Sequence, residues 1–151
     1  MTYSEVVTAE ELTALIGPEI MKELDCLVNR NVKQVIVMRN DLNMRKGKMI
    51  AQGAHASIMF LVDKALISKN IYLSTVERTW MEEGMTKICV RVDSEAELLD
   101  IFEKAKVAAL TVNLITDAGL TEFDGPTKTC LAIGPNKAEA IDKITGHLKL
   151  L

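Results

Sequence analysis

The sequence of 151 residues has little of what builds a disulfide scaffold or a zinc site. Its three cysteines (Cys26, Cys89 and Cys130) include no C-x-x-C pair, and it has only two histidines. An odd number of scattered cysteines predicts neither a disulfide framework nor a structural zinc site. We therefore expect a protein of the reducing cytoplasm that uses no metal ion and no other cofactor.

Long apolar runs are also lacking. The longest uncharged apolar run lies around residues 58–62, whereas a membrane-spanning helix needs about 18 residues. Met1 is followed by polar and acidic residues, unlike a signal peptide, so we expect no membrane association. Hydrophobic residues make up 48% and charged residues 26%, which excludes an intrinsically disordered chain.

The net charge of -3 hides a separation of the two signs along the chain. Residues 1–32 contain six acidic and two basic residues, whereas residues 33–69 contain seven basic and two acidic ones. A local basic surface on an acidic protein favours contact with a polyanion such as nucleic acid. Charges of this kind also occur on ordinary solvated helix faces, so charge alone leaves both interpretations open.

Apolar periodicity predicts an acidic helical extension over residues 1–32 and a core domain over residues 33–151. In the core domain, runs of β-branched and apolar residues predict four strands, at residues 35–38, 88–92, 110–115 and 130–133. The last strand is expected to end at Gly134-Pro135-Asn136. Helices are predicted over residues 46–66, 75–83 and 94–107 and after residue 136.

This alternation predicts an α/β fold with a small mixed, largely parallel four-stranded sheet and helices on both faces. The short link between the third and fourth strands is compatible with a hairpin. In the helix over residues 46–66, Lys48, Gln52 and His55 share a polar stripe. We expect the second half of this helix to be buried, and its core side to consist of Ile50, Ala54, Ile58, Leu61 and Ala65.

Asp117 follows the third predicted strand, and the Lys48 helix follows the first. Ligand sites in open α/β sheets collect at the carboxyl ends of the strands, so we expect Asp117 and Lys48 to converge there. Thr121, Thr127 and Thr129 supply hydroxyl groups in the adjoining loop and strand. Each of these residues also suits an ordinary structural role, but together they describe a polar, metal-free site with one candidate base.

Several segments, in this order along residues 33–151, resemble the archaeal/eukaryotic-type peptidyl-tRNA hydrolases, the second class of that activity. The segments are residues 45–56 (RKGKMIAQGAHA), 115–119 (ITDAG), 127–129 (TKT), 132–135 (AIGP) and 145–150 (TGHLKL). The resemblance implies hydrolysis of the ester between a peptide and the 3′ ribose of tRNA, which frees the tRNA for reuse. It also implies a small mixed sheet flanked by helices and a homodimer.

Residue by residue, the resemblance assigns the catalytic site to Lys48, Gln52, Asp117, Thr121 and Thr129. Asp117 would orient or deprotonate the attacking water, and Lys48 would stabilise the developing oxyanion or hold a phosphate. The other three would position substrate and water. The expected tRNA contacts come from the basic stretch and its helix, at Arg39, Arg45, Lys46 and His55.

Two other functions are compatible with the same residues. One is a non-catalytic RNA- or protein-binding module on this fold, and the other is a hydrolase for a different ester or amide. The family usually has Pro-Gly before Thr127, whereas this chain has Gly125-Pro126, which changes the backbone angles that the loop can adopt. The Lys48 and Asp117 pair favours the enzyme, and the altered loop favours a module without turnover.

Overall fold

The computed structural model describes residues 14–20, 31–68 and 70–151. The chain divides into two compact units, Met1–Arg30 and Asn31–Leu151. In the first unit, residues 14–16 and 18–20 are helical, and the rest of the predicted helical extension lies outside the described residues. The predicted catalytic and tRNA-contacting residues all belong to the second unit.

The second unit contains five strands and four helices among its described residues. In chain order they are β1 (Val32–Arg39), α1 (Lys46–Ile67), α2 (Thr75–Glu82), β2 (Lys87–Val92), α3 (Glu95–Val107), β3 (Val112–Asp117), β4 (Thr127–Lys137), α4 (Ala138–Thr145) and β5 (Lys149–Leu150). Serine hydroxyl groups cap two of the helices, with Ser74 accepting from the backbone of Glu77 in α2 and Ser94 accepting from that of Glu97 in α3.

The sheet is mixed and mostly antiparallel, with the strand order β3-β4-β1-β2-β5. Only β1 and β2 pair in parallel, and the other three pairings are antiparallel. The predicted four-stranded, largely parallel sheet is therefore wrong, although the α/β class and the mixed sheet are confirmed. The short link between β3 and β4 permits only antiparallel pairing, because a parallel connection needs a longer crossover. Strand β5 was missed because its two exposed residues carry no periodic pattern.

Strand β4 is longer than predicted and continues through Gly134-Pro135-Asn136 to Lys137. Gly134 has a φ of +93°, and a Cβ there would lie 2.9 Å from the carbonyl oxygen of Lys33 in β1. The register between β1 and β4 shifts between Lys33 and Val35, at the point that faces this turn of the backbone. A local irregularity in the ladder therefore accommodates a Gly-Pro pair that in most sequences would end a strand.

Helices cover both faces of the sheet, as predicted, because side chains of β1 alternate between two separate cores. Val35 and Val37 pack in a cluster with residues of α3 and α4, including Leu98 and Ile141. Ile36, Met38 and their neighbours pack in a second cluster against Ala56 of α1. The second face thus carries α1, the helix that begins at the predicted site.

The predicted core side of α1 is wrong. Its buried residues are Gln52, Ala56, Ser57 and Phe60, whereas Ile50 and Ile58 are exposed. The prediction gave weight to hydrophobicity, but a glutamine can be buried when its amide is hydrogen-bonded, as that of Gln52 is.

The second half of α1 is also less buried than predicted, because Leu66 and Ile67 at its end are exposed. Among the helices of the described residues, α1 is long and apolar enough to cross a membrane, with a mean hydropathy of 1.2. Length and composition alone are weak indicators, since a helix that packs on a protein core passes the same test. Here α1 contacts β1, β3 and β4.

Candidate active site

The start of α1 and the end of β3 lie at the same edge of the sheet. Strand β4 pairs antiparallel with both β1 and β3, so β1 and β3 run in the same direction. Their carboxyl ends therefore share one edge, and α1 follows β1 after a short turn. This topology brings Lys48 on α1 next to Asp117 at the last position of β3.

Asp117 and Lys48 form a largely buried ion pair. The Lys48 Nζ lies 2.6 Å from the Asp117 Oδ2, and each side chain is 12% exposed. The Gln52 Nε2 donates to the same oxygen at 2.9 Å, and the Gly119 backbone N–H donates to Oδ1 at 3.0 Å. The carboxylate thus accepts three hydrogen bonds, two from side chains of α1 and one from the backbone just after β3.

These contacts keep Asp117 ionised. The hydrogen bond from Lys48, followed by the one from the Gly119 backbone, lowers the pKa of Asp117 below its usual value. A carboxylate of lowered pKa is a weak base, which suits it to orient and polarise a water molecule. It also keeps Lys48 matched with a negative charge.

Thr129 lies behind Gln52 and has no exposed surface. Its Oγ1 donates to the Gln52 Oε1 at 2.6 Å, so the amide nitrogen of Gln52 is directed at Asp117. Thr129 therefore acts on the site through Gln52.

Thr121 occupies the outer side of the site. Its exposed Oγ1 accepts a hydrogen bond from the Lys48 Nζ at 3.1 Å. It is carried by residues 118–126, hereafter the 118–126 loop, which connects β3 to β4. The described structure thus brings together all five residues predicted as catalytic. Lys48 and Asp117 contact each other, Gln52 contacts Asp117, and Thr121 contacts Lys48. Thr129 contacts only Gln52 among the five.

The four residues predicted to contact tRNA do not form one cluster. Arg39 is largely buried and pairs with Asp41 at 2.6 Å and with Glu95 at 3.0 Å, and the hydrogen bond to Asp41 raises its pKa. Arg45 lies beside the site, Lys46 lines an apolar groove on the other flank of α1, and His55 is exposed. Of the four, Arg39 and Arg45 have their charges matched by carboxylates, but Arg39 is largely buried whereas the Arg45 side chain is 79% exposed.

Two residues of the 118–126 loop were missed by the sequence analysis. Glu122 accepts hydrogen bonds from the Arg45 side chain and backbone, and the Phe123 ring lies 5.6 Å from the Lys48 Nζ. Nothing in the sequence connects a loop glutamate with an arginine 77 residues away. The two meet because β1 and β3, which both pair with β4, end at the same edge of the sheet.

Cys130 borders the site but is unsuited to be a nucleophile. It has no exposed surface, and burial raises the pKa of its thiol to about 12. Its Sγ contacts the backbone oxygen of Gln52 at 3.4 Å. Within residues 14–20, 31–68 and 70–151, no group of three or more His, Cys, Asp or Glu side chains could hold a metal ion. The site therefore offers one carboxylate, one ammonium group, one amide and two hydroxyl groups.

Comparison with known proteins identifies relatives over this whole unit. A sequence model described as Peptidyl-tRNA hydrolase PTH2 matches residues 32–151. A peptidyl-tRNA hydrolase from Methanocaldococcus jannaschii is 50% identical over 120 residues, which are 80% of this chain and 100% of that protein. One from Methanococcus maripaludis strain C7 is 45% identical over 79% of this chain and 98% of its own length.

A probable peptidyl-tRNA hydrolase 2 from Drosophila melanogaster is 45% identical over 82% of this chain and 64% of that protein. A solved structure of a protein of unknown function from Agrobacterium tumefaciens strain C58 matches with a TM-score of 0.54 at 16% identity. That match covers 80% of this chain and 98% of the other, and it bears on the fold alone.

Proposed function

The chain belongs to the peptidyl-tRNA hydrolase family PTH2, its activity is the hydrolysis of peptidyl-tRNA, and we propose that Asp117, Lys48 and Gln52 form the centre where the ester is cleaved. The observation that carries this assignment is the Asp117 carboxylate, held by Lys48 at 2.6 Å and by Gln52 at 2.9 Å. Asp117 ends β3 at an edge of the sheet, and the exposed Thr121 lies on the solvent side of the site.

In the proposed reaction, Asp117 accepts a hydrogen bond from the attacking water. The water oxygen bonds to the ester carbonyl carbon, and its proton passes through Asp117 towards the ribose oxygen as the carbon–oxygen bond breaks. Three hydrogen bonds keep the position of the carboxylate fixed during this transfer. The products are a peptide with a free carboxyl group and a tRNA with a free 3′ hydroxyl.

Lys48 stabilises the negative charge that develops on the carbonyl oxygen. An ammonium group has three donors, of which two contact Asp117 and Thr121. A preorganised donor of this kind is worth about 10²–10³ in kcat when it faces the oxyanion. Thr121 then restrains Lys48 from the outer side, and Thr129 restrains Gln52 from within.

Release of deacylated tRNA from an N-blocked aminoacyl-tRNA, with EDTA present, tests this assignment. We expect Asp117→Ala to lose about 10²–10⁴ in kcat, the range for a general base. Asp100→Ala is the matched control, because Asp100 forms an exposed pair with Lys104 on α3. A wild-type protein that binds the substrate without cleaving it, or an Asp117 variant as active as the control, would contradict the assignment.

The tRNA backbone is proposed to lie along the first turn of α1. Arg45 and Lys46 are exposed there, and the helix N-terminus adds a partial positive charge. His55 lies exposed further along α1 and extends this surface, whereas Arg39 contributes through its structural ion pairs. Such contacts supply affinity without sequence preference, as suits an enzyme that accepts many tRNAs. We place this activity in the cytoplasm, where translation produces the substrate.

A homodimer is proposed to form through the outward side of α1. Ile50, 72% exposed, lines an apolar groove of about 480 Å³ between α1 and strands β1 and β2, and Ile58, 52% exposed, lies further along the same helix. The groove extends to Leu151 at the chain end. Apolar surface of this extent favours contact with an equally apolar partner, and a second copy of the same face satisfies that condition.

A further inference from the structure

The 118–126 loop has neither helix nor strand, yet it carries a residue of the proposed active site. Thr121 is exposed, and its hydroxyl contacts Lys48 at 3.1 Å. An irregular, exposed segment keeps a side chain in place only if other contacts hold the backbone. Three such contacts are present in the loop.

The first contact is made by Glu122, next to Thr121 in sequence. Its Oε1 accepts from the Arg45 Nε at 2.8 Å, and its Oε2 accepts from the Arg45 backbone N–H at 3.2 Å. The Glu122 side chain is 15% exposed, whereas that of Arg45 is 79% exposed. The carboxylate is therefore enclosed against the helix end, while the guanidinium stays in solvent.

This contact also completes α1. Arg45 is the N-cap residue of the helix, and its own side chain makes no capping hydrogen bond. The Glu122 carboxylate supplies a cap from a distant part of the chain, where the helix dipole favours a negative charge. The hydrogen bond from Arg45 lowers the pKa of Glu122, so the carboxylate stays charged at neutral pH.

The other two contacts lie on either side of Glu122 in the loop, at Gly119 and Phe123. Phe123 packs against the core cluster on the α1 face of the sheet. Gly119 has a φ of +79°, and a Cβ there would lie 2.4 Å from the Gly125 carbonyl oxygen, so the ends of the loop are closely packed. Phe123 also approaches α1, with its ring 5.6 Å from the Lys48 Nζ, but Glu122 is the one of these three that hydrogen-bonds to the residue at the start of that helix.

From this geometry we infer that Glu122 is a positioning residue for the reaction, which docks the 118–126 loop on the first turn of α1 and so holds the Thr121 hydroxyl on Lys48. The inference rests on the proposed function, since it concerns the same site. Glu122 need not touch the substrate. Its effect reaches the reaction through the placement of Thr121 and, through Thr121, of the Lys48 ammonium group.

Steady-state kinetics on an N-blocked aminoacyl-tRNA test the inference. We expect Glu122→Ala to lower kcat by about tenfold, since a misplacement of about 1 Å can cost up to about 10² in rate, while KM changes by less than about twofold. Glu122→Gln keeps an oxygen that can accept from the Arg45 backbone, and should recover most of the lost kcat. Glu103→Ala, in an exposed pair with Lys106 on α3, is the matched control and should match the wild type.

A double-mutant cycle with Thr121→Ala separates this role from a general loss of stability. If Glu122 acts through Thr121, Glu122→Ala should reduce kcat little further in the Thr121→Ala background. All assays are run below the unfolding midpoint of each variant. Wild-type kcat in Glu122→Ala, no recovery in Glu122→Gln, or an equal loss in both backgrounds would overturn the role of Glu122 while the loss in Asp117→Ala still supports the proposed function. An inactive wild-type protein would overturn the proposed function and this role together.

Discussion

Gln52 is oriented by Thr129, whose hydroxyl donates to the Gln52 Oε1 at 2.6 Å inside the protein. An amide can be rotated by 180° at little cost unless its two ends meet different partners. Here Thr129 takes the oxygen end, so the nitrogen end faces the Asp117 carboxylate. A buried hydroxyl without any access to solvent thereby determines which atom of Gln52 meets the Asp117 carboxylate.

Thr129→Val should therefore impair both stability and turnover. Valine has nearly the same shape but leaves the Gln52 oxygen without its donor, at a cost of about 1–3 kcal/mol in the free energy of unfolding. We also expect kcat to fall, because the amide can then turn its oxygen towards Asp117. Urea unfolding and tRNA release measure the two effects.

Thr129→Ser, which keeps the hydroxyl, is the control for this prediction. Its kcat should stay near that of the wild type, even if the lost methyl group lowers stability. Equal kcat values for Thr129→Val and Thr129→Ser would show that the hydroxyl does not orient Gln52.

The pH dependence of the reaction should reflect the lowered pKa of Asp117. The proposed mechanism needs the carboxylate in its ionised form, so activity should be lost only as the pH falls through the folded-state pKa of Asp117, which lies below the ordinary value of 3.8. From there to neutral pH, kcat/KM should not change through Asp117. A ¹³C NMR titration of its carboxyl group measures the pKa directly.

Replacing Lys48 with Met should raise the pKa of Asp117, because the first cause of its depression is removed. Lys104→Met is the control, as Lys104 pairs with Asp100 on a different helix. An Asp117 pKa that is the same in the two variants would show that Lys48 does not set it.

Some features of this fold were predictable because local sequence determines them. The β-branched residues of β1 and the capping Ser94 of α3 act on their immediate neighbours, and these elements lie where they were expected. The strand-end rule likewise brought Asp117 and Lys48 to one edge, where their side chains meet.

Other features depend on partners that are distant in sequence. Gln52 is buried on the core side of α1 because residues 65 and 77 positions away satisfy its amide. A helical wheel treats glutamine as a surface residue and cannot contain that information. The pairing of Arg39 with Glu95 and that of Arg45 with Glu122 follow the sheet topology in the same way.

Gly119 and Gly125 should respond very differently to alanine. At Gly119 the φ of +79° and the 2.4 Å approach to the Gly125 oxygen leave no room for a Cβ. A Cβ at Gly125 would meet nothing within 4 Å, so the two variants form a matched pair within one loop. We expect Gly119→Ala to lower kcat strongly, and Gly125→Ala to stay within about twofold because its conformation needs no rearrangement. Similar kcat values for both would contradict the described loop closure.

Lys46 and Arg39 should differ in the salt dependence of tRNA binding. Lys46 is exposed at the start of α1, whereas the charge of Arg39 is matched by Asp41 and Glu95. If Lys46 contacts one phosphate, Lys46→Ala should reduce the slope of log K against log salt by about 0.7–0.9. Arg39→Ala should lower the unfolding midpoint, because two ion pairs are lost, and should leave this slope nearly unchanged. Binding titrations over a series of salt concentrations test both, and an unchanged slope in Lys46→Ala would remove this residue from the interface.

The proposed dimer interface predicts that one charge on the outward side of α1 separates the subunits. Ile58, like Ile50, is an exposed apolar residue of α1, 52% exposed, so Ile58→Glu would bring a charge into an apolar contact between two copies. Val107, 88% exposed at the end of α3 on the other face of the sheet, is the matched control for the same substitution. In sedimentation equilibrium we expect the wild type and Val107→Glu to be dimers and Ile58→Glu to be a monomer that keeps its thermal stability. A monomeric wild type, or a dimeric Ile58→Glu, would show that this face of α1 does not join two copies.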